Sequence, residues 1–64
     1  MAIIYLPAAI NSRREYTIKN LSVGEIEVKS IEETDTINNV SSRLLQRYEA
    51  LTVVDYASGK YRII

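Results

Sequence analysis

The chain opens on Ala2-Ile3-Ile4-Tyr5-Leu6, five residues that carry no charge and one phenol as their only polar side-chain group. β-Branched and aromatic residues favour an extended backbone. Alternate side chains of a strand point to opposite faces, so an extended Ala2–Leu6 is apolar on both. Such a strand needs cover on two sides. Pro7 ends it, because proline has no N–H to give to a ladder. The chain has 64 residues, and one of that size buries only roughly 60% of its unfolded surface. Small domains are commonly stapled by a disulfide, a metal or another chain. There is no Cys and no His. That removes a disulfide, and it removes structural zinc, which needs thiolate or imidazole. Association remains.

The rest of the chain alternates. Tyr16 and Ile18 share one face and Glu15, Thr17 and Lys19 the other. Ile26 and Val28 repeat the pattern against Glu25, Glu27 and Lys29. Period-two alternation predicts half-buried strands. Leu21 to Gly24 is short enough to join them as a hairpin, with Gly24 supplying an unusual dihedral. A brief extended piece is expected around Ile37. Leu51 to Tyr56 is β-branched and aromatic, and Ala57 to Lys60 is a glycine turn before a last strand. Ser41 to Leu51 places Leu44, Leu45, Tyr48 and Leu51 at helical spacing, with Ser41 and Ser42 as caps. By propensity alone it is a three-turn helix.

Eight Lys and Arg balance eight Asp and Glu. Zero net charge gives no long-range attraction to nucleic acid or anionic lipid. The run from Ala2 to Ile10 is far shorter than the ~20 residues of a membrane helix. No nucleic-acid partner and no membrane insertion are expected.

The ordered pieces resemble a small β module found in bacteriophage tail fibres, tail spikes and appendage proteins. They are Leu6-Pro7-Ala8-Ala9, Glu15 to Asn20, Glu25 to Ile31, Thr36-Ile37-Asn38, Leu44-Leu45, Tyr48 to Val54, and Gly59 to Ile64. Together they span nearly the whole chain. Arg14 and Asn39 stand where the family usually carries Gly, and Tyr61 where it carries Trp. The resemblance implies extended structure around Leu44 and Leu45, because tertiary context commonly overrides helix propensity. It also implies a single all-β domain over residues 1–64: a small antiparallel sandwich or barrel-like module of about six short strands, assembled as a threefold homotrimer. The implied function is a structural trimerisation module of a fibre, spike or appendage used in host attachment, joined to the rest of that chain. The location would be the virion, after synthesis in the bacterial cytoplasm. Two alternatives stay open. One is a receptor-binding tip that contacts host surface polysaccharide; the other is a generic small β-barrel adaptor.

The candidate interface is apolar: Ile3, Ile4, Tyr5, Leu6, Leu44, Leu45, Val53 and Val54. Exposed contiguous apolar surface marks interaction sites. Arg13, Arg14, Tyr48, Tyr56 and Tyr61 are the candidate contacts to a surface ligand. Arg43 and Arg47 share a face only if their segment is helical. No enzyme, metal or cofactor is expected. Glu25, Glu27, Glu32, Glu33 and Asp35 are the carboxylates available for glycoside chemistry, but they read more simply as a solvated strand face and turn. Glu32, Glu33, Asp35 and Asn38 lack the ligand spacing of a calcium loop. Ser58 and Lys60 flank a glycine turn, which needs no catalytic reading.

Overall fold

A computed structural model describes residues 2–64. It contains seven strands and no helix: β1 (Ala2–Leu6), β2 (Glu15–Lys19), β3 (Ile26–Ser30), β4 (Thr36–Ile37), β5 (Arg43–Leu45), β6 (Ala50–Ala57) and β7 (Lys60–Ile63). One sheet has the order β1-β3-β5, the other β2-β6-β7-β4. The alternating rows put Ile26 and Val28 of β3, and Leu51 and Val53 of β6, into the space between the sheets. Leu6, Ala9, Ile37, Leu45 and Tyr61 complete the core. Val28 and Val53 are fully buried, each a gain of about 1.5–3 kcal/mol over exposure.

The sandwich is mixed rather than antiparallel, and it has seven strands rather than about six. β1 pairs with β3 in parallel, and β4 with β7 in parallel. The cause is the path between β2 and β3. Leu21 to Gly24 does not make a hairpin, because β2 and β3 belong to different sheets. β3 therefore returns beside β1 in the same direction. The crossing is tied by Asn20, whose side-chain amide donates to the carbonyls of Gly24 and Leu45 at 2.8 and 2.9 Å. Its side-chain oxygen accepts from Ser22 N–H and hydroxyl. Gly24 needs no special dihedral; among the described glycines only Gly59, φ 75°, is left-handed.

The segment with helical spacing is extended. Leu45 turns into the core while Leu44 faces solvent. Tyr48 has φ 68°, which no α-helix admits. The expected hairpin of β6 and β7 forms, with a register shift between Asp55 and Ala57. Asn38 and Asn39 take left-handed dihedrals in the turn after β4, as Asn tolerates. In the first loop the left-handed positions are Asn11 and Arg13 rather than Arg14.

Candidate functional site

β1 is an edge strand that pairs with one other strand, β3. Ala2 is opposite Ile26, Ile4 opposite Val28 and Leu6 opposite Ser30. Partners in a sheet share a face, so Ala2, Ile4 and Leu6 lie on the core side. Ile3 and Tyr5 lie on the solvent side beside Glu27 and Lys29. Leu6 alone is buried. Ile4 is 39% exposed although Val28 next to it is fully covered. Ile3 at 42% and Tyr5 at 55% are open on the other face. Apart from Leu6, the strand is thus exposed on both faces. Lys29 Nζ lies 5.7 Å from the Tyr5 ring centre.

A polar latch fixes where β1 leaves the body. Pro7 carbonyl accepts from Tyr61 hydroxyl at 2.5 Å, and more weakly from Ser30 hydroxyl at 3.4 Å. Asp35 Oδ2 accepts from Ala9 N–H at 2.8 Å and Ser30 hydroxyl at 2.7 Å. Ala9 carbonyl accepts from Gly59 N–H. Asp55 Oδ2 takes Ile10 N–H, Ser12 N–H and Ser12 hydroxyl, and its Oδ1 takes Asn11 N–H. Burial pushes the Asp55 carboxyl up, but these donors outweigh it and hold the group below its usual 3.8. None of the groups acting on it is a cation. Burial first, then Tyr16, Asp55 and Asp35 nearby, push the Tyr61 phenol up to about 12.

Sequence reasoning did not single out Asn20, Ser30 or Asp55, yet a signal was present. Each ends an inward-facing row of alternate residues: Tyr16-Ile18-Asn20, Ile26-Val28-Ser30 and Leu51-Val53-Asp55. All three polar ends are buried. A polar group in such a place must be hydrogen-bonded, and each is used to tie a loop.

The structure divides the candidate interface residues. Ile3, Ile4, Tyr5 and Leu44 are exposed; Val54 is half-buried; Leu6, Leu45 and Val53 fill the chain's own core. Leu44 joins Ile3 on the solvent face, one on each side of Glu27. The candidate ligand contacts do not converge. Tyr61 is buried, meeting Tyr16 edge-on at 6.2 Å. Tyr48 lies in the turn before β6 and Tyr56 near the far end of that strand, with about 20 Å of strand between them at ~3.3 Å per residue. Each stacks with its own cation, Arg47 at 4.7 Å and Arg62 at 4.4 Å. Arg13 and Arg14 are exposed while their main chains bond Asp55. An open groove of about 570 Å³ runs past Tyr5, Glu27, Lys29, Ile31 and Ser42. Ser42 hydroxyl donates to Glu27 at 3.0 Å there. Ser58 bridges to Ile10 beside the glycine turn. Among the described residues no three acidic side chains gather where they would hold a metal ion.

No protein family, curated protein or solved structure matches the chain. The functional reading therefore depends on its own residues.

Proposed function

We propose that the chain is a structural assembly module that acts by self-association, as a homotrimer in the tail fibre, spike or appendage of a bacteriophage. The threefold number and the phage setting come from the resemblance in segment order. The self-association is supported by one observation: β1 is apolar on both faces, and its own chain buries only Leu6, leaving Ile3, Ile4 and Tyr5 exposed. Burying Ile3, Ile4 and Tyr5 between copies supplies the interior that a chain of 64 residues lacks. Leu44 extends the same surface on the solvent side. The latch of Asp35, Asp55 and Tyr61 fixes the angle at which β1 is presented. The unit has a structural role rather than a catalytic one.

Light scattering at micromolar concentration tests this. The expected mass is three times the 7.3 kDa of one chain. A monomer that persists at high concentration would refute the reading. Because association and folding are linked, the thermal midpoint should also rise with protein concentration.

A further inference from the structure

We infer that copies of this chain join by strand pairing, the open edge of β1 in one copy hydrogen-bonding antiparallel to the open edge of β2 in the next. The inference rests on the self-association reading and specifies its contact. Leu6 carbonyl accepts from Ile31 N–H, so the main chain of Leu6 faces β3. Main-chain groups alternate sides along a strand. Those of Ile3 and Tyr5 therefore point away from the sheet, with no partner strand. Natural edges are guarded by charge, proline, bulges or shortness. β1 has none of these: five uncharged residues pair with β3 in unbroken register.

Three other edges are open to a second copy. β4 has two residues, already bridged from Ile37 to Val40, and β5 has three. β2 has five, like β1. Asn20 N–H donates to Glu49 carbonyl, and Asp55 N–H to Arg14 carbonyl, so even-numbered residues of β2 face β6. The main chains of Glu15, Thr17 and Lys19 are the open ones. Both edges thus offer main-chain groups at every second residue, and on both strands those residues point their side chains to solvent. Joining them antiparallel sets solvent face beside solvent face and core face beside core face.

Charge and face matching select the direction. On the solvent face beside β1, Glu27 flanks Ile3 and Lys29 flanks Tyr5. β2 runs from Glu15 to Lys19. Antiparallel pairing brings Lys29 across Tyr5 from Glu15 of the next copy, or Glu27 across Ile3 from Lys19. Parallel pairing would put each open residue of β1 in register with an even-numbered, core-facing residue of β2, as Leu6 is in register with Ser30 while bonding Ile31, and so would set the solvent face of one copy beside the core face of the next. A contact between two different edges is head-to-tail, the kind that closes rings of three.

Two proline variants test it. Ile3→Pro and Thr17→Pro each remove an N–H on an open edge and leave the internal ladders intact. Each is expected to be a folded monomer by circular dichroism and light scattering. Mixed one to one, they should form a complex of twice the single-chain mass. The first retains a sound β2 edge and the second a sound β1 edge. Hydrogen exchange on the unaltered protein gives the answer without relying on the variants folding. The amides of Ile3, Tyr5 and Thr17 should be slowed at least tenfold in the assembly relative to the diluted monomer. If the unaltered chain associates while these amides exchange fast, the strand contact is wrong and self-association stands. If Thr17→Pro still associates and Ile3→Pro does not, β1 pairs with itself and the inference falls. An unaltered chain that never associates removes both.

Discussion

Asp55→Asn is nearly isosteric and should nonetheless be among the most damaging single changes in this protein. The carboxylate takes four hydrogen bonds from Ile10, Asn11 and Ser12. Three of them end on Oδ2 and one on Oδ1. With its oxygen at the Oδ2 position, the asparagine amide keeps three bonds. Each changes from charge-assisted to neutral, a loss of about 1 kcal/mol apiece. Its NH2 then sits where Oδ1 was and faces Asn11 N–H, donor against donor, at a further ~1–3 kcal/mol. These terms share one site and do not simply add. A net loss of about 3 kcal/mol is expected. A chain of this size has about 3–10 kcal/mol in total. In urea, at an m value of about 1 kcal/mol per molar, the midpoint should fall by about 3 M. Protein concentration must be held fixed, because association adds to apparent stability.

The same substitution carries a pH signature. The folded pKa of Asp55 is lowered, so its contribution is complete above the unfolded value near ~3.9. It is lost as pH falls through the folded value, because the unfolded chain takes up the proton first. The variant has no such group. The stability gap between the two proteins should therefore be constant from about pH 7 to 5 and close below about pH 4. A midpoint shift under ~0.5 M urea, or a gap unchanged down to pH 2, would refute the reasoning that the carboxylate anchors the loop.

Tyr61→Phe removes the hydroxyl bond to Pro7 carbonyl and should cost about 1 kcal/mol in thermal or urea unfolding. In the unaltered protein one of five tyrosines should titrate near pH 12 by absorbance at 295 nm; stability should decline above pH ~10, where the unfolded phenol ionises first. The two glycines should respond oppositely to alanine: Gly59→Ala loses about 1 kcal/mol from its φ of 75°, whereas Gly24→Ala, with nothing within 4 Å of its new methyl, gains about 0.4–1 kcal/mol. Ile4→Ser should lower the association constant with little change in monomer unfolding, while Leu45→Ala should cost about 2–5 kcal/mol of fold stability; equal effects of the two on association would contradict the division between surface and core.

The strands were legible because burial writes itself into period two. Tyr16 and Ile18, Ile26 and Val28, and Leu51 and Val53 each mark one face of one element, and all three elements formed. What alternation does not encode is which sheet a strand joins. A strand presents the same row whether its neighbour is beside it or across the core. So β2 and β3 read as a hairpin until Asn20 carried the chain across the core, and the mixed pairing followed from that one crossing. Periodicity alone left the segment from Ser41 to Leu51 ambiguous for a related reason. Leu44, Leu45, Tyr48 and Leu51 satisfy a helical period, but Leu44 and Leu45 on opposite faces satisfy an edge strand equally. The left-handed Tyr48, invisible to periodicity, decides between them.

The candidate surface was half legible for a physical reason as well. Apolar character at every position of β1 says that both faces want cover, and hydropathy cannot say which cover the chain supplies. Leu6 was claimed by the core while Ile4, two residues earlier on the same face, was not. The difference lies in the latch. Pro7 to Ser12 is pinned by Asp35, Asp55, Tyr61 and Gly59, so the C-terminal end of β1 is drawn over the sandwich and the N-terminal end overhangs it. Polar residues at the ends of inward rows thus determine which apolar residues remain outside. Where a small sandwich leaves its stickiest strand is then set by its buried acids as much as by hydrophobicity.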